Sequence, residues 1–215
     1  DPLGRLAGTI RWLTITTFAS HEALAAEASR VNRMHDRVKG QYESSSGESR
    51  SYRAADPDLL RWVHIAFMDS FLRSHQIFST RPIPGGADAY VSLWAKSVEP
   101  LGLTDVPMNE KELLTWLDHY RGELSVNDDT RDVIQWLRNP PLPIAARPVY
   151  ALLFQSALAS LPPEHRKLIG LKSLPLSVLR PITRTLLKSI RLAIGPENPL
   201  VDVAKTRLQR AGFTL

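Results

Sequence analysis

The residues of this 215-residue sequence best placed to do chemistry are one histidine and the charges around it. In residues 30–40 (RVNRMHDRVKG) and the turns before them, apolar side chains fall at Leu24, Ala28, Val31, Met34 and Val38. That three-to-four spacing is a buried helical stripe. His35 lies four residues after Val31 and three before Val38, so a helix here turns its imidazole with the stripe. Arg30, Arg33, Asp36, Arg37 and Lys39 mostly take other directions. A neutral imidazole on an apolar wall can give one nitrogen to a metal, and haem iron needs only one proximal side chain. The same spacing also describes a core histidine with both nitrogens hydrogen-bonded. Spacing alone leaves both readings open.

Other chemistries fare worse. Glu110 and Glu112 do not share a helix face, and no H-E-x-x-H or E-x-x-H set suits a di-iron bundle. Asp56 and Asp58 begin no complete calcium loop. No G-x-S-x-G turn follows a strand. With no cysteine, disulfides, thiolate catalysis, Fe–S clusters and cysteine-ligated haem are all excluded.

The elements that must hold His35 read as helices joined by short Pro, Gly and polar links, so the expected class is all-α. Residues 3–17 read as the first helix. The second starts at the cap Ser20 and stops at Lys39-Gly40. Residues 41–55, serine-rich and polar, read as a mobile surface loop. Asp56 caps the third helix with Pro57 at its first position; its core stripe is expected at Leu60, Val63, Phe67, Phe71 and Ser74, widened by Trp62 and Ala66. His64, Met68, Phe71 and His75 form a neighbouring line.

Further helices are expected over residues 87–101, after the capping box Asn109–Glu112, and after Asn127-Asp128. Others are expected over 145–161, 173–194 (kinked or divided at Pro181) and 200–211. These are too many and too unequal for a four-helix bundle. A globin-like arrangement, with crossing helices walling a cofactor pocket, accommodates them better.

Net charge is +5, from 27 Lys and Arg against 22 Asp and Glu. The one concentrated basic stretch holds Arg166, Lys167, Lys172, Arg180, Arg184, Lys188 and Arg191. No zinc-finger, RRM, KH or phosphate-loop signature accompanies it, so nucleic acid is not expected. No run of apolar residues is long enough to span a membrane. The residues shown include no signal peptide, and a cytoplasmic location is the expectation.

Four ordered fragments carry a resemblance: GRLAGTIRWLTITTFAS, VNRMHDRVKG, SYRAADPDLLRWVHIAFMDSFL, and the later Pro-Pro with its proline-punctuated, leucine-rich end. Together the chain resembles the DUF2236 family, which includes the haem-dependent rubber oxygenases (latex clearing proteins) and the MpaB-type oxygenases. The resemblance implies one DUF2236-like helical domain over residues 1–215, a globin-like fold with a haem pocket, and an upstream helical segment missing here. It also implies a haem b-dependent oxygenase acting with dioxygen on a small apolar substrate.

By that resemblance His35 is the proximal iron ligand, and Arg5 and Thr9 match the Arg-x-x-x-Thr motif near the distal side. Lys39 matches a basic residue four after the proximal histidine. Arg37 and Lys39 are candidates for the haem propionates, or equally a solvated charge cluster. His64, in the WVH motif, is a distal group, a hydrogen-bond partner behind a ligand, or a packed core residue. Thr9 or His64 would stabilise bound oxygen and Arg5 would set the polarity.

Rubber oxygenases can carry a distal lysine just before the threonine; this chain has Gly8 there, which leaves the sixth iron position open. The rival expectation is a non-catalytic helical module, lipid-associated through Arg180, Arg184, Lys188 and Arg191 on the basic C-terminal helix. Packing of that helix on a core is the preferred reading over membrane contact.

Overall fold

The computed structural model describes residues 2–44, 46–195 and 199–214. Among them ten α-helices follow in order: α1 Pro2–Phe18, α2 His21–His35, α3 Pro57–Phe78, α4 Gly86–Ala95, α5 Glu110–Tyr120, α6 Asp128–Arg138, α7 Arg147–Ser160, α8 Pro163–Leu168, α9 Leu176–Ile194 and α10 Pro199–Arg210. This is the all-α, globin-like multi-helix class that the 3.6-residue period predicts. No helix among the described residues is long and apolar enough to cross a membrane.

The expected caps form. Ser20 accepts from the Ala23 N–H, Asp56 from Asp58, Asn109 from Glu112 and Asn127 from Thr130. Glu112 completes its box by reaching back to the Met108 N–H at 2.8 Å. α9 runs unbroken through Pro181, which neither divides it nor ends it.

Three expectations need correction. First, α2 ends at His35, and Lys39 belongs to a strand. β1 (Lys39–Glu43) pairs antiparallel with β2 (Ser49–Arg53), Gly40 opposite Tyr52 and Tyr42 opposite Arg50. Residues 41–55 are thus mostly a hairpin rather than a loop; Ser45 lies outside the described residues. Gly40 makes room instead of stopping a helix: a Cβ there would come within 2.6 Å of the Tyr52 ring. An aromatic side chain laid over a cross-strand glycine is a known sheet device.

Second, α3 turns a different face inward. Ile65, Met68 and Leu72 are buried, whereas Val63 is 52% and Phe71 42% exposed. Third, the fourth helix is shorter than expected: α4 stops at Ala95, and Glu99–Leu101 is a separate 3-10 turn.

The main core gathers Ile65, Met68 and Leu72 of α3 with Val91 of α4 and Leu113 and Tyr120 of α5, with Trp62, Trp94 and Trp116 packed around them. A smaller cluster, Ala95, Val98, Leu103 and Val106, lies beyond α4. Polar fasteners join distant segments. Glu27 on α2 is buried between Arg11 of α1 and Arg30, and the Arg30 hydrogen bond does most to hold its carboxyl below the ordinary range. Ser156 and Thr183 share a buried 2.6 Å hydrogen bond between α7 and α9. Arg207 of α10 donates to the Phe18 carbonyl at the end of α1, 2.8 Å away.

Candidate functional site

His35 is the last residue of α2, half-buried where the chain leaves the helix for the hairpin. Its Nδ1 is sealed from solvent with no hydrogen-bond partner, and neither ring nitrogen meets the carbonyl or carboxylate that would fix a ligand's tautomer. Burial holds the imidazole below its ordinary pKa, against the opposing charge of Asp36. The ring is therefore neutral at pH 7 and keeps a lone pair to give. In the next turns Arg30, Arg33, Met34, Arg37 and Val38 line a small cleft of about 310 Å3.

The motif residues of α1 lie mostly outward. Arg5 is exposed and Thr9 half-buried, and the Thr9 hydroxyl donates back to the Arg5 carbonyl at 3.1 Å. A Cβ added at Gly8 would meet nothing within 4 Å, so space is open beside the motif. Arg5, Thr9, Leu13 and Thr17 are spaced by four and share a face of α1. Arg37 and Lys39 are exposed, Arg37 in the turn after α2 and Lys39 on β1.

The other end of that α1 face, Leu13 and Thr17, borders a cavity of about 1330 Å3. This exceeds the roughly 300–1,000 Å3 of an ordinary small-molecule pocket. Phe71 and Phe78 of α3, Tyr90 and Trp94 of α4, and Leu187 and Leu192 of α9 contribute apolar wall. Phe71 and Tyr90 pack on the Trp94 ring at centroid distances of 5.4 and 5.7 Å.

His64 stands behind Trp94, ring centroids 6.4 Å apart, only 7% exposed. Its Nε2 is buried without a partner, and burial pushes its pKa down to about 4. It is a neutral histidine, packed deep beside the cavity wall. Asp69, one turn on, is also buried; burial raises its pKa, against the pull of Arg73, whose Nε lies 2.8 and 2.9 Å from its two oxygens.

Three residues of this wall each carry a donor that is sealed from solvent without a partner: the Tyr90 hydroxyl, Trp94 Nε1 and Arg184 Nε. The sequence marks Arg184 only as part of the basic stretch and gives no sign of Tyr90 or Trp94. The only local signal was the 184/188/191 spacing, which marks one face of α9 and says nothing about what that face meets.

Among the described residues no group of three His, Cys, Asp or Glu side chains can hold a bare metal ion. A porphyrin brings its own nitrogens and asks one imidazole of the protein; His35 offers a neutral, unpartnered one, and it lines neither of the two cavities. Residues 1–192 match the family model described as ER-bound oxygenase mpaB/B'/Rubber oxygenase, catalytic domain. No curated protein and no solved structure matched the chain. The match covers most of the sequence, and the chain belongs to this family.

Proposed function

From that membership we propose that the chain, one helical domain over residues 1–215, is a haem b-dependent oxygenase acting with dioxygen on a small apolar substrate. The observation that carries the reading is His35: the histidine that the family resemblance singles out keeps a neutral ring with no internal hydrogen bond. Haem b, when bound, supplies the iron that activates dioxygen and carries the electrons of the oxidation.

The chain's own residues supply the rest. His35 would hold the iron through a ring nitrogen. Arg37, with Arg33 along the same cleft, offers positive charge to propionates, and Lys39 adds a further cation from β1. Arg5 sets the polarity at the start of the α1 face. Thr9 would donate a hydrogen bond to a bound ligand once its hydroxyl turns away from the Arg5 carbonyl. His64, neutral to about pH 4, adds no charge to the buried wall it stands behind. The apolar side chains from Leu13 to Leu192 exclude water from a greasy substrate.

The test is an absorption spectrum after haem reconstitution of wild type, His35→Ala and His75→Ala, with circular dichroism to confirm folding. A sharp Soret band in wild type and His75→Ala that disappears in folded His35→Ala supports the assignment. The same specific band in all three overturns it.

A further inference from the structure

The cavity wall carries a charge pattern that an apolar substrate leaves unused. Arg81, Arg184, Lys188 and Arg191 all line it, and among the described residues no aspartate or glutamate does. None of the four takes part in an ion pair among the described residues. Arg184, Lys188 and Arg191 follow the four-and-three spacing of one helix face, so their like charges stand together beside a low-dielectric wall.

Arg184 is committed in part. Its Nη2 donates to the Ile77 and Ser79 carbonyls at 3.1 and 3.2 Å, which leaves its buried Nε without an acceptor. Trp94 Nε1 and the Tyr90 hydroxyl share that condition. Arg and Trp nitrogens only donate, so the partner they lack is an acceptor. Leu13, Phe71, Phe78 and Ile83 line the same cavity.

We propose that this cavity binds a long-chain carboxylate, its hydrocarbon body along the α1–α3–α4 wall and its head on Arg184, Lys188 and Arg191. A carboxylate is anionic and accepts from Arg and Lys donors, which answers the unpaired cations of this wall. A chain-like body uses the length of a cavity this large. The inference goes beyond the oxygenase reading and does not depend on haem, because it rests on the cavity alone.

The test uses protein without added haem and monomeric oleate below its micellar concentration, followed by tryptophan fluorescence and calorimetry. Oleyl alcohol, of the same chain and no charge, is the comparison ligand. Saturable oleate binding is expected at one site, at least 10-fold tighter than the alcohol. Lys188→Glu and Arg191→Glu, both exposed and without a structural partner, should weaken oleate at least 10-fold and leave the alcohol unchanged. Arg184→Lys should weaken oleate too, with folding checked because Arg184 also holds α3.

Equal binding of acid and alcohol, or charge reversals without effect, would overturn the proposal and leave an apolar cavity only. Displacement of oleate by one equivalent of haemin would assign the cavity to a porphyrin and overturn it as well. So would adhesion to phosphatidylserine vesicles with no saturable binding of monomeric oleate, which would place the α9 cations on a membrane surface. None of these outcomes alters whether His35→Ala loses a Soret band, so this proposal and the haem assignment fail separately.

Discussion

The corner where α1 meets the end of α2 and the cavity between α1, α3, α4 and α9 differ in how they are built. At the corner, the chemical residues come from two consecutive helices. Arg5 is exposed, Thr9 is bonded to its own helix, and His35 occupies a helix terminus. The cavity draws its wall from residues between Leu13 and Gly195, and three polar atoms of those residues, on Tyr90, Trp94 and Arg184, are buried and unsatisfied. The first kind of site is recognisable as a motif because a few adjacent turns carry it. The second exists only once distant helices are packed, so its chemistry lies in what the walls lack as much as in what they contain.

That contrast can be broken most forcefully from the core. Met68→Ala removes a fully buried side chain beneath the cavity wall. It should cost roughly 2–5 kcal/mol in urea unfolding and lower ligand binding with it. If stability hardly changes, the cavity wall does not rest on this packing.

His64 gives the next largest effect. Its folded pKa of about 4 lies below its ordinary 6.5, so between those values the unfolded chain takes up a proton that the folded chain refuses. Stability should therefore fall as pH drops through this window, by up to about 3 kcal/mol. His64→Leu should flatten this part of the profile, read as the urea midpoint at pH 7 and pH 4.5. An unchanged slope would mean that His64 takes up its proton in the folded state.

On the corner side, Gly40→Ala must push the Tyr52 ring aside and should cost about 1–3 kcal/mol. The double variant with Tyr52→Ala should recover part of that loss, a coupling that a helix-stopping glycine would not show. The smallest effect belongs to Thr9→Ala, because its hydroxyl serves only the local Arg5 carbonyl: about 0.5 kcal/mol or less in thermal unfolding. Turnover of the haem-loaded protein should drop despite that stability. A large destabilisation would show that Thr9 is a structural residue and sharpen the corner's reading against it.

Helix existence was legible because capping residues and apolar spacing act locally. Ser20, Asp56, Asn109 and Asn127 each cap the helix that their position announces. The hairpin was not, because KGQYE and SRSYR bury no apolar face and so show no alternation between oil and water. The inward face of α3 was ambiguous for the opposite reason. Apolar side chains surround most of that helix, and the choice of Ile65 and Met68 over Val63 and Phe71 is made by α4 and α5. Glu27 reads as a first-half helix charge, yet it is buried at 3% exposure because Arg11 and Arg30 neutralise it. For the candidate site, His35 and the α9 cation line were visible by spacing. The acceptor-starved Tyr90, Trp94 and Arg184 were not, since burial without a partner is a property of the assembled walls.

The bond from Arg207 to the Phe18 carbonyl bears on how the protein should be handled. α10 follows the span shared with the family, residues 1–192, yet it grips the helix that carries Arg5 and Thr9. A clone trimmed to the shared span would bare the tail of α1 just beyond Leu13 and Thr17. α10 acts as a clasp, and expression boundaries should keep it.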